Sequence, residues 1–114
     1  MNSIVQKPWG EFQILNSGEN YLVKKIIVKS GGILSLQSHK YRTEHWIIAE
    51  GKAEVTINGK VFNLKENDHI FVDKGATHRI VNLSKTNLVI IEMWYGNKLD
   101  EEDIKRYDDV YGRI

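Results

Sequence analysis

The stretch Lys52-Ala53-Glu54-Val55-Thr56-Ile57-Asn58-Gly59-Lys60-Val61-Phe62-Asn63-Leu64 carries the fold class. Ala53, Val55 and Ile57 alternate with Lys52, Glu54, Thr56 and Asn58, a period of two that gives a strand one buried and one wet face. The strand runs into Asn58-Gly59, a dipeptide that suits a type I′ turn because both positions need positive φ. Val61–Leu64 is the returning strand. Outward from this hairpin, Glu11–Asn16, Tyr21–Lys29, Ile33–His39, Glu44–Glu50, His69–Asp73, His78–Asn82 and Asn87–Trp94 are rich in the β-branched and aromatic residues that fit a pleated surface. Asn16-Ser17-Gly18, Ser30-Gly31-Gly32, Glu66-Asn67-Asp68 and Lys74-Gly75 punctuate them as turns. Only the tail reads as helical, with Asp100 capping a short helix through Arg106 and Glu101, Glu102 and Asp103 in its first turn. Regularly spaced short strands with turn signals between them make an all-β domain, closed as a barrel or folded as a double-sheet jelly roll to manage its edges.

The chain of 114 residues is expected to form one domain spanning residues 1–114. It contains no cysteine, which excludes disulfides, zinc fingers, iron–sulfur ligation and thiol nucleophiles. With 16 basic and 15 acidic residues and no Lys/Arg run, it lacks the electrostatic footprint of a nucleic-acid binder. The longest apolar runs, Trp46–Ala49 and Leu88–Ile91, fall far short of the ~20 residues of a membrane span. Met1–Trp9 does not read as a signal peptide. The expected location is the cytoplasm, with no membrane or nucleic-acid partner.

The four histidines are His39, His45, His69 and His78. Gln37 and His39 lie two apart and share a strand face. Glu44 faces one way with Trp46 and Ile48, His45 faces the other, and His78 shares a face with Ile80. Gln37, His39, Glu44 and His78 can therefore converge inside a barrel. Imidazole, carboxylate and amide oxygen make a mixed N/O set suited to a divalent Zn, Ni, Co, Mn or Fe ion; the alternative is a polar-lined barrel without a metal. His69 reads as a turn or surface residue.

These residues carry a resemblance to the cupin superfamily. Gly31, Gln37-Ser38-His39, Glu44 and Gly51 have the spacing of its first motif, with Gln37 in place of the first histidine. Asn67, Asp73-Lys74-Gly75, His78 and Asn82 have the spacing of its second, with Asn67 replacing a glycine and Asp73 a proline. The stretch Gln37-Ser38-His39-Lys40-Tyr41-Arg42-Thr43-Glu44-His45-Trp46 further resembles the signature of type II phosphomannose isomerases, which also form the C-terminal part of bifunctional mannose-1-phosphate guanylyltransferases. Lys7-Pro8-Trp9-Gly10, Tyr21–Ile26, Gly75-Ala76-Thr77-His78-Arg79 and Asp108-Asp109-Val110-Tyr111-Gly112-Arg113 resemble further pieces of that family. Lys40 and Tyr41 depart from the histidines common there.

The resemblance implies a single-domain cupin, a double-stranded β-helix, that interconverts mannose 6-phosphate and fructose 6-phosphate through an enediol. A divalent metal on Gln37, His39, Glu44 and His78 would act as Lewis acid. Arg42 or Arg79 would anchor the phosphate of this small-molecule sugar phosphate, with Lys24 and Lys25 as secondary anchors. His45, with Arg42, is the candidate for catalysis, an imidazole within the matching motif, although alternation sets it opposite Glu44 unless a bulge or the start of the strand re-aims it. A homodimer paired through strand edges is expected. Two alternatives stay open: a non-catalytic sugar- or nucleotide-sugar-binding cupin, and another sugar-modifying cupin.

Overall fold

The computed structural model describes residues 3–113. These form eleven strands: β1 (Ile4–Lys7), β2 (Gly10–Ser17), β3 (Tyr21–Val28), β4 (Leu36–Ser38), β5 (Thr43–Glu50), β6 (Ala53–Ile57), β7 (Lys60–Leu64), β8 (His69–Val72), β9 (His78–Val81), β10 (Leu88–Tyr95) and β11 (Lys105–Asp108). They make two sheets, ordered β1-β2-β3-β10-β5-β8 and β11-β4-β9-β6-β7, in which every neighbouring pair is antiparallel.

The expected hairpin is present as β6–β7, with Ala53 opposite Leu64 and Ile57 opposite Lys60. Asn58 and Gly59 both have positive φ, 49° and 81°, as a type I′ turn requires. Apolar residues on the inward faces, among them Val28, Trp46, Ile48, Val55, Ile80, Leu88 and Ile90, are fully buried between the sheets. Asn82 ties the ends of three segments together. Its Nδ2 donates to the carbonyls of Val28, Lys29 and Thr86, and its Oδ1 accepts from the Ser84 amide. At Gly10 the β1–β2 turn passes so close to β3 that a Cβ would lie 2.0 Å from the Ile27 carbonyl oxygen, which accounts for a glycine after Pro8-Trp9.

The structure differs from the sequence reading at three places. Residues 4–7 form an edge strand that the sequence reading left out. The Asp100–Arg106 helix does not form, and no helix occurs among the described residues. Asp100 does cap, its Oδ1 accepting from the Glu102 amide, but it caps a turn. Chain beyond that turn adds β11 to the open edge of β4, and Asp103 accepts the amides of Lys40 and Tyr41. So short a helix is marginal alone, and strand pairing with β4 satisfies the same backbone groups while closing a sheet edge. The Ile33–His39 strand is also shorter than expected. It is regular only over β4, with Ile33 bridging singly to Val81.

Candidate metal centre

Strand alternation aims the site. Along β5, Glu44, Trp46 and Ile48 are buried while His45, Ile47 and Ala49 are exposed. On β9, His78 and Ile80 are buried, and Gln37 of β4 lies directly opposite His78. His39 follows β4 and is buried. The donor atoms of His39, Glu44 and His78 all lie within 4.8 Å of one another. His39 Nε2 stands 3.2 Å from His78 Nε2 and 3.2 Å from Glu44 Oε2.

The surroundings fix which imidazole nitrogens are free. His39 Nδ1 is 2.6 Å from the Asp103 carbonyl and His78 Nδ1 is 3.1 Å from the Ala76 carbonyl. A carbonyl only accepts, so both Nδ1 atoms carry the proton and both Nε2 atoms present lone pairs to each other. Burial, outweighing the pull of Glu44, brings His39 down to about 4 and lowers His78 as well. Both rings are therefore neutral at neutral pH, the form a metal ligand needs. Burial alone would raise the Glu44 carboxyl, but the opposing His39, Arg42 and His78 hold it below its ordinary value. Donors about 3.2 Å apart are the spacing of neighbouring ligands around an ion with bonds of about 2.1 Å. These three residues fit a divalent metal. Gln37 adds an amide: its Nε2 donates to Ser35 Oγ at 3.0 Å, leaving Oε1 as the acceptor.

Arg42 shares the same atoms. Its Nε donates to Glu44 Oε2 at 2.7 Å and its Nη2 to His39 Nε2 at 3.1 Å, while Nη1 reaches the Asp100 and Asp103 carbonyls. The guanidinium lies 3.4 Å from the Trp94 ring centroid. Trp46 Nε1 occupies the other carboxylate oxygen, Glu44 Oε1, at 2.9 Å.

The structure separates the remaining expected residues. His45 is exposed on the outer face, its ring 4.8 Å from that of Phe71. The β5–β10 pairing is regular from Thr43 to Ile48, so no bulge turns His45 inward and it does not reach the pocket. Of the lysine pair, Lys24 is buried, with its Nζ 4.0 Å from the centroids of Phe12 and Trp94 and paired to Glu101. Lys25 lies on the opposite face of β3 and does not line the pocket. Arg79 donates to the Leu34 carbonyl and to Asp108. His69 is exposed.

Among the pocket residues that escaped the sequence reading are Glu92 and Arg106. Glu92 on β10 is buried, and its Oε1 accepts from Trp94 Nε1. Burial first, then the nearby Glu44, pushes it up to about 8. A lone acid sharing an inward face with Leu88, Ile90 and Trp94 was the available signal. Arg106, placed at the end of a short helix by sequence, instead lines the pocket from β11.

A two-sheet antiparallel barrel holding His, Glu and His donors at its centre is a cupin, and the solved structures agree. A cupin from Shewanella frigidimarina described as RmlC-like superposes with a TM-score of 0.76 at 20% identity, over 89% of this chain and 87% of that one. Oxalate decarboxylase from Bacillus subtilis superposes with a TM-score of 0.81 at 21% identity, over 93% of this chain and 30% of that one. The chain belongs to the family described as mannose-6-phosphate isomerase C-terminal, whose model matches residues 1–109. It is 46% identical over 114 residues to mannose-1-phosphate guanylyltransferase ManC of Salmonella typhimurium (strain LT2), covering all of this chain and 24% of that protein. It is 46% identical over 109 residues to alginate biosynthesis protein AlgA of Pseudomonas putida, covering 96% of this chain and 22% of that protein. The chain thus spans about a quarter of the length of these relatives.

Proposed function

We propose that this domain is a metal-dependent aldose–ketose isomerase that interconverts mannose 6-phosphate and fructose 6-phosphate through an enediol. The observation that carries the reading is the convergence of His39 Nε2, His78 Nε2 and Glu44 within 4.8 Å at the centre of the barrel, in a chain of this family. His39, Glu44 and His78, with Gln37 as fourth ligand, would hold the metal, which supplies Lewis-acid polarisation of a sugar oxygen when bound. The Asp103 and Ala76 carbonyls hold the two imidazoles in the ligating tautomer, and Trp46 fixes the Glu44 carboxylate. Trp9, Trp46 and Trp94 wall the pocket with apolar surface that limits water around the enediol. With His45 outside, Glu92 is the group we assign to carry the proton between C1 and C2 on its Oε2. In the metal-free pocket burial and Glu44 push its carboxyl up to about 8, toward the range that suits acid–base work near neutral pH.

One observation favours a second reading, a metal-free sugar-binding cupin: Arg42 already bonds the Glu44 and His39 atoms that a metal would use. A coupled assay with mannose 6-phosphate separates the two. The protein is run as isolated, after chelation, and after adding back Co, Ni, Mn or Zn. The isomerase reading expects turnover that chelator removes and metal restores. Turnover indifferent to chelator would discard the metal. No turnover under any condition, from folded protein, would leave the binding module.

A further inference from the structure

The pocket has an excess of positive charge. Its lining includes Lys7, Lys24, Arg42, Arg79, Arg106 and Arg113 against the carboxyls of Glu44, Glu92 and Glu101. Most of these cations are already engaged. Arg42 is spent on Glu44, His39 and two carbonyls, and Arg79 on Asp108 and the Leu34 carbonyl. Arg113 grips both oxygens of Asp109, and Lys24 pairs with Glu101. Lys7 forms no ion pair among the described residues but lies over the Phe12 ring. Arg106 differs: it too forms no ion pair among the described residues, and its Nε is enclosed without a hydrogen-bond partner. A guanidinium half-buried without an acid is costly unless a ligand matches its charge.

Its position along the sheet is as telling. Arg106 lies opposite Gln37 on β4, and Gln37 lies opposite His78 on β9. The three form one row across the sheet, so Arg106 shares their inward face and its Cα sits two strand spacings, about 10 Å, from that of His78. That separation suits a ligand whose reacting end lies at the His39–Glu44–His78 centre and whose anionic end lies further along, as C1 and the phosphate do in a hexose 6-phosphate.

We propose that Arg106 is the phosphate anchor of this pocket, its guanidinium forking onto the phosphate oxygens of the substrate; the identity of the substrate rests on the isomerase reading above. The role expected of Arg42 or Arg79 thus passes to a residue on β11. A guanidinium is suited to it by its planar fork of donors, which a lysine ammonium lacks.

The test measures inorganic phosphate binding by calorimetry and mannose 6-phosphate kinetics, with unphosphorylated mannose as control, in the metal-loaded protein. The variants are Arg106→Gln and Arg106→Lys, checked for folding by circular dichroism and Tm. Arg106→Gln is expected to weaken phosphate binding by about tenfold to a hundredfold, the loss of charge-assisted hydrogen bonds, and to raise KM for mannose 6-phosphate by a similar factor while metal content stays unchanged. Arg106→Lys is expected to recover part of the loss. Phosphate affinity unchanged in both folded variants, or no phosphate binding by the wild-type protein, overturns the anchor. If phosphate binds through Arg106 but mannose 6-phosphate is not turned over, the anchor stands and the isomerase reading falls. If mannose 6-phosphate is turned over with KM unmoved in Arg106→Gln, the isomerase reading stands and the anchor falls.

Discussion

Glu92→Gln is expected to stabilise the metal-free protein, and to do so more strongly as pH rises. Glu92 is buried on β10 beside Trp94, and its carboxyl moves from an ordinary 4.5 to about 8 on folding, first through burial and then through Glu44. A carboxyl raised in the folded state contributes its full stability below the unfolded pKa and loses it as pH climbs through the folded one. The change to glutamine keeps an oxygen to accept from Trp94 Nε1 and removes the ionisation. Linkage between 4.5 and about 8 then predicts an advantage for Glu92→Gln of about 1 kcal/mol near pH 5, about 3 kcal/mol near pH 7 and about 4–5 kcal/mol above pH 8. The measurement is urea unfolding of chelator-treated wild type and variant at each pH. His39 and His78 are depressed, so they contribute stability above their ordinary 6.5 that is lost as pH falls through their lower folded values. They do so in both proteins, so their effect cancels in the difference. A difference that stays constant from about pH 5 to about pH 8.5 would refute the reasoning, because it would mean that Glu92 is solvated or already ionised.

His78→Ala should abolish metal retention, measured by elemental analysis after gel filtration, together with turnover. His69→Ala, on an exposed site, should leave both near wild type; equal effects of the two changes would sink the site assignment. Asn82→Ala strips partners from the carbonyls of Val28, Lys29 and Thr86 and should cost about 2–4 kcal/mol, seen as a Tm lowered by about 10 °C. A Tm matching wild type would mean that water replaces the amide there.

Local patterns made most of the barrel readable. The alternation in β5 and β9 is a property of each strand by itself, so it assigned Glu44 and His78 to one face and His45 to the other before any neighbour was known. Asn58-Gly59 set the β6–β7 turn for the same reason, since positive φ is a preference of those two residues. The spacing of Gln37, His39, Glu44 and His78 brought the candidate metal donors together on paper, and the structure seats the three His and Glu donors within 4.8 Å of one another.

The tertiary structure decided what depends on distant partners. Residues 100–106 read as a capped helix, yet the chain from Lys105 to Asp108 pairs with the free edge of β4, and an edge is a property of the sheet, absent from the segment that covers it. With that strand came Arg106, turned from the end of a helix into a pocket cation, and just before it Asp103, whose carbonyl selects the His39 tautomer across 64 positions of chain. The inward face that Glu92 shares with Leu88, Ile90 and Trp94 points to its burial, but the approach of Glu44 from β5, which pushes the carboxyl up further, comes only from the packing of the strands. Arg42 could be named from sequence as a cation near the site. Only the packing against Trp94 shows it bonded to the metal-type donors themselves, because a long side chain's destination is set by what surrounds it and not by the strand it leaves.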